Sequence, residues 1–440
     1  MRGAPDGRAD RLIIPMAAYA IAYFLLMRLP GDIVRSPIAG SDLSSYYTAG
    51  SLVRTGQVDH LYDVAPGDTI LGDATAGPWR EEGDRLGIHR QHYYIYPPFF
   101  ALLAAPLSLL PFGAARWLWL AVDMALLALF VGLYLAWRRR DGTDPDLAER
   151  ALIAVTLGLE FLPLIWSLAI GQTTLLILAL MAGSILLAKK GKEAGSGLLL
   201  GVATAIKLTP GLLILYFAWR GWRRAASWGA ATFAACCLAA AVALGPATSV
   251  RFFTDVVPRM SEGTPYFLNQ SLSGFLNRLL GDGDVRQVAL QAPGMVRWIA
   301  VPVSILLVAM TAMWFRRRPG RPEGLRLDLE LSAVILLTLI LSPISWTHHY
   351  MLAVIPLYTV VAAASRSGIR SLTLAAAVGI AFLLIARKPH WELFADGPAR
   401  LALSAAMYGA LILWGACLIM LRRPAPLERE ASTKEVARAA

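Results

Sequence analysis

The chain has 440 residues, 57% hydrophobic and 16% charged, with a formal net charge of +11 and a mean hydropathy of +0.55. Soluble domains carry about a quarter charged residues, so the composition excludes an ordinary soluble enzyme and predicts a polytopic membrane protein. The Lys and Arg excess falls in short clusters between apolar runs, the positive-inside pattern. That excludes a basic nucleic-acid-binding face and makes membrane lipids the surrounding partner.

Crossing ~30 Å of hydrocarbon takes about 20 helical residues. The first apolar run, near 12–29, follows Arg2, Arg8 and Arg11 and has no small-x-small cleavage site behind it. It reads as a retained signal anchor with its N-terminus in the cytoplasm. The polar stretch 30–96 then forms a long first external loop with interfacial helices. Segment 97–111 holds Pro97, Pro98, Pro106 and Pro111. Its roughly 15 residues reach only about 22 Å as a helix, which predicts an interfacial or re-entrant piece.

Spans are expected near 114–137, 150–168 and 172–188. Segment 195–219 is broken at Lys207-Leu208-Thr209-Pro210-Gly211 and is expected to enter and leave on one side. Broken helices at membrane depth need protein or a watery cavity around them, so this break points inward to a site. Further spans are expected near 225–245, 296–315, 328–346, 350–364, 370–386 and 399–421, with a second external loop at 246–295. The result is a single all-α membrane domain over 1–423 with about twelve helices, some short or re-entrant. A polar cytoplasmic tail, 424–440, reads as disordered. With this topology Arg138–Arg140, Lys189-Lys190, Arg220, Arg316–Arg318, Arg366 and Arg422-Arg423 all fall in the cytoplasm, and the unusual polar residues collect on the opposite face.

On that face Asp42 follows Gly40-Ser41 and precedes Leu43-Ser44-Ser45-Tyr46-Tyr47, a short amphipathic pattern. Asp is a favoured helix N-cap, and a lone carboxylate at a membrane lip also suits a general base; spacing leaves both readings open. Only one of the adjacent His348 and His349 can face a given site, because helical neighbours lie about 100° apart. Headgroup-wetted interfacial histidines are the plain alternative. Lys207 is a costly ammonium in an apolar run, and snorkelling is its ordinary explanation. Asp123, seven residues after Arg116, reads as a structural pair on one helix face, and Glu160 stays open. Asp282-Gly283-Asp284 reads as a turn, Asn269-Gln270-Ser271 is a formal glycosylation sequon, and Gly197-x-x-x-Gly201 reads as close helix packing. No metal-ligand spacing, P-loop or G-x-S-x-G pattern occurs.

Seven segments run in an order that resembles glycosyltransferase family 87 of the GT-C superfamily. They are Gly40-Ser41-Asp42 with Tyr46-Tyr47, Leu61-Tyr62-Asp63, Tyr96-Pro97-Pro98-Phe99, Gly171-Gln172, Gly201 to Lys207 with Pro210, Asn269-Gln270-Ser271, and Ser342-Pro343-Ile344-Ser345-Trp346 with His348-His349. The resemblance implies a GT-C-type fold and an inverting, alpha-(1,2)-directed mannosyl transfer. The donor it implies is polyprenyl-phosphate mannose. The acceptor is an envelope glycolipid of phosphatidylinositol mannoside or lipomannan type. It casts Asp42 as the base that deprotonates the acceptor. It puts His348, His349, Lys207 and Gln172 at the donor phosphate or sugar, and Tyr46, Tyr47, Tyr62, Tyr96, Asn269 and Gln270 at the acceptor or its loop. No cofactor or metal is implied, and the enzyme would be a monomer in the bacterial inner membrane with its site on the outer face. Asp59, Asp63 and Asp68 share the first loop and are alternative bases. Rival readings are a relative using arabinose or glucose lipids, and a lipid transporter or flippase, which would also show broken helices and buried charges.

Overall fold

The computed structural model describes Tyr19 and residues 22–142, 144–158, 161–288, 294–316, 320–366, 372–388 and 390–422. Half of the 12–29 run, Glu160 and the 424–440 tail lie outside the described residues. Among the described residues the fold is helical, and β-structure is confined to two isolated bridges, Asp73 to His92 and Asn269 to Trp346. Among the described residues five helices are long and apolar enough to cross a membrane: Phe112–Arg140, Arg223–Leu244, Gly294–Arg316, Thr347–Arg366 and Gly397–Leu421. The chain is a multi-pass membrane protein.

Several expected spans are shorter pieces. The 150–168 run is two helices, Leu147–Gly158 and Leu162–Ile170, because Pro163 fits only the first turn of a helix. The second of these meets Thr174–Lys189 at a bend of 118°. Gly171 makes that corner in the left-handed region, φ 73°, where a residue with a Cβ is strained. A Cβ there would also stand 2.8 Å from Leu43 Cβ. Segment 97–111 is the short pair Pro98–Ala104 and Ala105–Leu109. The break foreseen at Lys207 is present, between Glu193–Ile206 and Gly211–Trp219. The first helix runs on to Val34 as a wide turn that includes Pro30.

Gly197 and Gly201 do pack a helix closely. A Cβ at Gly197 would lie 2.2 Å from the Ala225 carbonyl oxygen, and one at Gly201 2.6 Å from that of Gly229. The Glu193–Ile206 and Arg223–Leu244 backbones therefore touch, which anchors the broken segment. All three cysteines are free thiols.

The basic clusters meet at one end of the bundle. Lys189 reaches Asp141 at 2.8 Å and Asp328 at 2.6 Å, and Arg366 lies 3.6 Å from Asp141. Arg138 and Glu149 pair at 2.6 Å, both almost wholly buried, and Arg220 holds Glu330 at 2.8 Å. These contacts tie Phe112–Arg140, Thr174–Lys189, Gly211–Trp219, Gly324–Leu341 and Val354–Arg366 together at the end opposite the Gly171 corner. Removing one member of a buried charge network strands the others, at a cost of about 3–5 kcal/mol. Lys189→Met is therefore expected to lower the thermal unfolding temperature in detergent, and adding Asp328→Asn is expected to restore part of the loss.

The pairing expected between Arg116 and Asp123 is not made. Seven residues of α-helix rise about 10 Å, too far for an ion pair. Asp123 is completely buried, and its carboxylate oxygens have no hydrogen-bond partner among the described residues. Arg116 instead lies against Gly40, its Cδ 2.9 Å from where a Cβ would stand.

Candidate active site

Asp42 sits in the first turn of the helix Ser41–Arg54, where the positive end of the helix dipole favours a carboxylate. The turn before it needs glycine: Gly40 has φ 76°. The Gly40 amide donates to the Ala169 carbonyl at 2.8 Å, which pins the start of this helix to the Gly171 corner. The far end packs as tightly, since a Cβ on Gly50 would lie 2.6 Å from the Ala104 carbonyl oxygen. Asp42 is thus held by backbone at both ends of its helix.

A directed hydrogen-bond chain converges on this carboxylate. The Tyr46 hydroxyl donates to the Tyr96 hydroxyl at 2.9 Å, and Tyr96 donates to Gln172 Oε1 at 3.2 Å. That orients the Gln172 amide so that its Nε2 donates to Asp42 Oδ2. Burial, reinforced by the negative charge of Asp42, holds the Tyr96 phenol well above its usual range, so it stays a donor. Tyr93 is pushed up to about 12 by burial and by the hydrogen bond it gives Asp68.

These groups line a cavity of about 370 Å³ whose other walls include Trp166, Tyr266, Trp346 and His348. His348 is 4% exposed and its Nε2 has no hydrogen-bond partner among the described residues. His349 turns away. Its ring is nearly perpendicular to that of His348, its Nδ1 accepts the Trp346 amide at 3.3 Å, and its Nε2 lies 2.6 Å from Lys207 Nζ. Lys207 Nζ also sits 5.6 Å over the Tyr96 ring. Lys207 and His349 line a small adjoining cavity rather than the large one.

The remaining sequence candidates lie outside the cavity wall. The Tyr47 hydroxyl donates to the Leu110 carbonyl at 2.6 Å, and that of Tyr62 to the Tyr96 carbonyl at 2.8 Å; both secure loop backbone. Asn269 and Gln270 are fully buried, so the sequon is inaccessible. Asn269 Oδ1 accepts from the amides of Ser345 (3.0 Å) and Ser271 (3.3 Å), while its Nδ2 donates to the carbonyls of Thr264 and Pro343. The Gln270 amide donates to the Ser345 carbonyl at 2.7 Å, and its carbonyl accepts from the Tyr350 hydroxyl. Together they hold the turn that presents Trp346 and His348. Each such bond contributes about 1 kcal/mol net, so Asn269→Ala is expected to cost about 2–4 kcal/mol. It should also weaken ligand binding more than Tyr47→Phe does, by titration of the purified protein.

Sequence reasoning passed over Arg90, His92 and Lys388, which also line the cavity. Arg90 is 3.2 Å from Asp73, and Lys388 is 3.8 Å from Glu392. Arg90-Gln91-His92 is the basic patch of the first loop, and its position just before Tyr96 was the available signal. Asp59 and Asp63 are not cavity residues: Asp63 is taken up by His60 and Arg251, each at 2.7 Å. Among the described residues no three His, Cys, Asp or Glu side chains gather to hold a metal ion.

A half-buried carboxylate oriented by an amide thus shares one cavity with an imidazole and two basic side chains in a membrane helix bundle. Residues 94–343 match the model of glycosyltransferase family 87, more than half of the chain, and the chain belongs to that family. Asp42 and His348 lie outside the matched residues. The chain is 31% identical over 263 residues to a polyprenol-phosphate-mannose-dependent alpha-(1-2)-phosphatidylinositol pentamannoside mannosyltransferase of Mycobacterium tuberculosis (strain CDC 1551 / Oshkosh). That match covers 59% of this chain and 56% of the relative. It is 29% identical over 292 residues to a polyprenol-phosphate-mannose-dependent alpha-(1-2)-phosphatidylinositol mannoside mannosyltransferase of Mycolicibacterium smegmatis (strain ATCC 700084 / mc(2)155), with 62% and 63% covered. An alpha-(1->3)-arabinofuranosyltransferase of Mycobacterium tuberculosis (strain CDC 1551 / Oshkosh) is 28% identical over 245 residues, with 52% and 51% covered. The matches span about half to six-tenths of the length of these relatives. No solved structure gives a significant match.

Proposed function

We propose that the chain transfers a mannosyl group from polyprenyl-phosphate mannose to a phosphatidylinositol mannoside or lipomannan-type acceptor, forming an alpha-(1,2) linkage with inversion. One observation carries the reading: a single cavity brings Asp42, oriented by Gln172, to face His348, Arg90 and Lys388. The names of the relatives supply the sugar and the lipid.

In this reading Asp42 removes the proton from an acceptor hydroxyl as that oxygen attacks the anomeric carbon. The bond from that carbon to the phosphate oxygen breaks, and its electron pair leaves with the polyprenyl phosphate. His348 donates to, and Arg90 and Lys388 neutralise, the departing phosphate; cations placed where charge develops stabilise the transition state more than the ground state. Lys207, hydrogen-bonded to His349 behind Tyr96, supports the same wall from the adjoining cavity. The arrangement carries about twelve membrane helices in the GT-C manner, acts as a monomer in the bacterial inner membrane with its cavity on the outer face, and works without metal or cofactor.

The test is transfer by purified protein in nanodiscs, offered polyprenyl-phosphate mannose or polyprenyl-phosphate arabinose with a defined phosphatidylinositol mannoside. Transfer of mannose well above arabinose is expected. Preference for arabinose would replace the donor, in line with the arabinofuranosyltransferase relative, and transfer of neither would overturn the reading.

A further inference from the structure

We infer that His92 is a positioning and relay residue for Asp42, carrying the proton that Asp42 takes from the acceptor out toward the external solvent. The inference rests on Asp42 acting as the base. His92 Nε2 lies 3.9 Å from Asp42 Oδ1, and His92 Nδ1 lies 3.2 Å from Asp73 Oδ1. An ionised carboxylate only accepts hydrogen bonds, so the 3.2 Å approach of Asp73 favours a proton on Nδ1, which leaves the Nε2 lone pair toward Asp42. The 3.9 Å gap is wider than a hydrogen bond, and one water or a small rotation of either side chain closes it.

The position of the ring is set by backbone. Asp73 and His92 form an isolated antiparallel bridge, and the Ala74 amide donates to the Gln91 carbonyl at 2.8 Å. The Trp79 indole donates to the His92 carbonyl at 3.2 Å. Side-chain exposure rises along the line, from 24% at Asp42 and 25% at His92 to 45% at Asp73, so the chain of groups leads from the cavity to the outside. The other ionisable groups on the surrounding walls are Arg90, which neutralises part of the charge of Asp73, His348, Lys388 and the phenols of Tyr46, Tyr93, Tyr96 and Tyr266.

The proton count closes without any further reactant. The acceptor hydroxyl loses its proton to Asp42 as its oxygen bonds the anomeric carbon, and the phosphate leaves with the electron pair. Asp42 then passes the proton to His92 Nε2, the imidazolium rests against Asp73, and solvent at the exposed edge removes one proton. Asp42 is a carboxylate again for the next acceptor.

The experiment measures kcat and donor KM for the full chain in nanodiscs with polyprenyl-phosphate mannose and a defined phosphatidylinositol mannoside. It compares wild type, His92→Ala, His92→Gln, Asp73→Asn and Asp42→Asn. His92→Ala is expected to lower kcat by about 10²-fold, the scale of one proton-transfer group, with donor KM unchanged. Added imidazole should restore much of the loss in His92→Ala, and much less in His92→Gln, where the space is filled. Asp73→Asn should lower kcat several-fold. Wild-type kcat in His92→Ala beside an inactive Asp42→Asn would overturn the relay alone. A loss that imidazole leaves untouched, with a lowered unfolding temperature, would also overturn it by making His92 structural. Full activity in Asp42→Asn would overturn the base assignment and the relay with it.

Discussion

Asp42→Asn lowers turnover by about 10³-fold, within the roughly 10²–10⁴ contributed by a general base, and leaves the unfolding temperature almost unchanged. Both halves of that expectation follow from how the residue is held. Asparagine keeps the shape of the side chain, and its amide oxygen can still accept from Gln172 Nε2, the bond that orients the native carboxylate. The start of the helix is fixed by the Gly40 amide on the Ala169 carbonyl and by the Ser44 hydroxyl on the Ser41 carbonyl, and neither bond involves Asp42. The lost charge at a helix N-terminus is worth only ~0.3–1 kcal/mol. What the variant lacks is a site for the acceptor proton. Thermal unfolding measured beside initial rates separates the two effects, and a matched fall in both would make Asp42 a structural residue.

His348→Phe is expected to lower kcat by about 10²–10³-fold, the size found when one preorganised donor to a developing anion is removed. An unsatisfied polar atom inside a protein costs about 1–3 kcal/mol, yet His348, which lines the cavity, has a buried Nε2 with no partner among the described residues. A bound substrate would supply the missing partner. The turn beneath the ring is held from elsewhere, by Asn269 on the Ser345 amide and Gln270 on the Ser345 carbonyl, so phenylalanine can replace the ring without moving it. The change should therefore keep or slightly raise the unfolding temperature while activity falls. His349→Phe should behave differently: it removes the partner of Lys207 and is expected to lower stability as well as rate.

Much of this was legible in the chain because local physics set it. Gly171 and the Lys207–Pro210 stretch break helices by backbone geometry, whatever surrounds them, whereas Pro163 divides a run that reads as one span. Gly197 and Gly201 announce a close backbone contact because only a missing side chain permits one. The basic clusters could be placed at one end from charge alone, although the acids that neutralise them, Asp141, Asp328 and Glu330, could not be matched to them without the packing. Long-range contacts were the part out of reach. His92 and Asp42 lie far apart in the first loop, and long-range contacts such as the Ser45 hydroxyl on the Tyr93 carbonyl bring them together. Asn269 and Gln270 attracted notice as polar residues in an apolar chain, but their polarity serves the backbone of the Ser345–Trp346 turn. The expected pairing of Arg116 with Asp123 failed because sharing a helix face is weaker than being within reach.

The central claim is a single inverting displacement driven from the Asp42 cavity. It is tested most directly by the anomeric configuration of the first product, read by NMR from a ¹³C-labelled, beta-linked polyprenyl-phosphate mannose after transfer by the purified chain. An alpha-mannoside on the acceptor is the predicted result. A beta-mannoside would require two displacements and a covalent intermediate, and would contradict the assignment of Asp42 as a base.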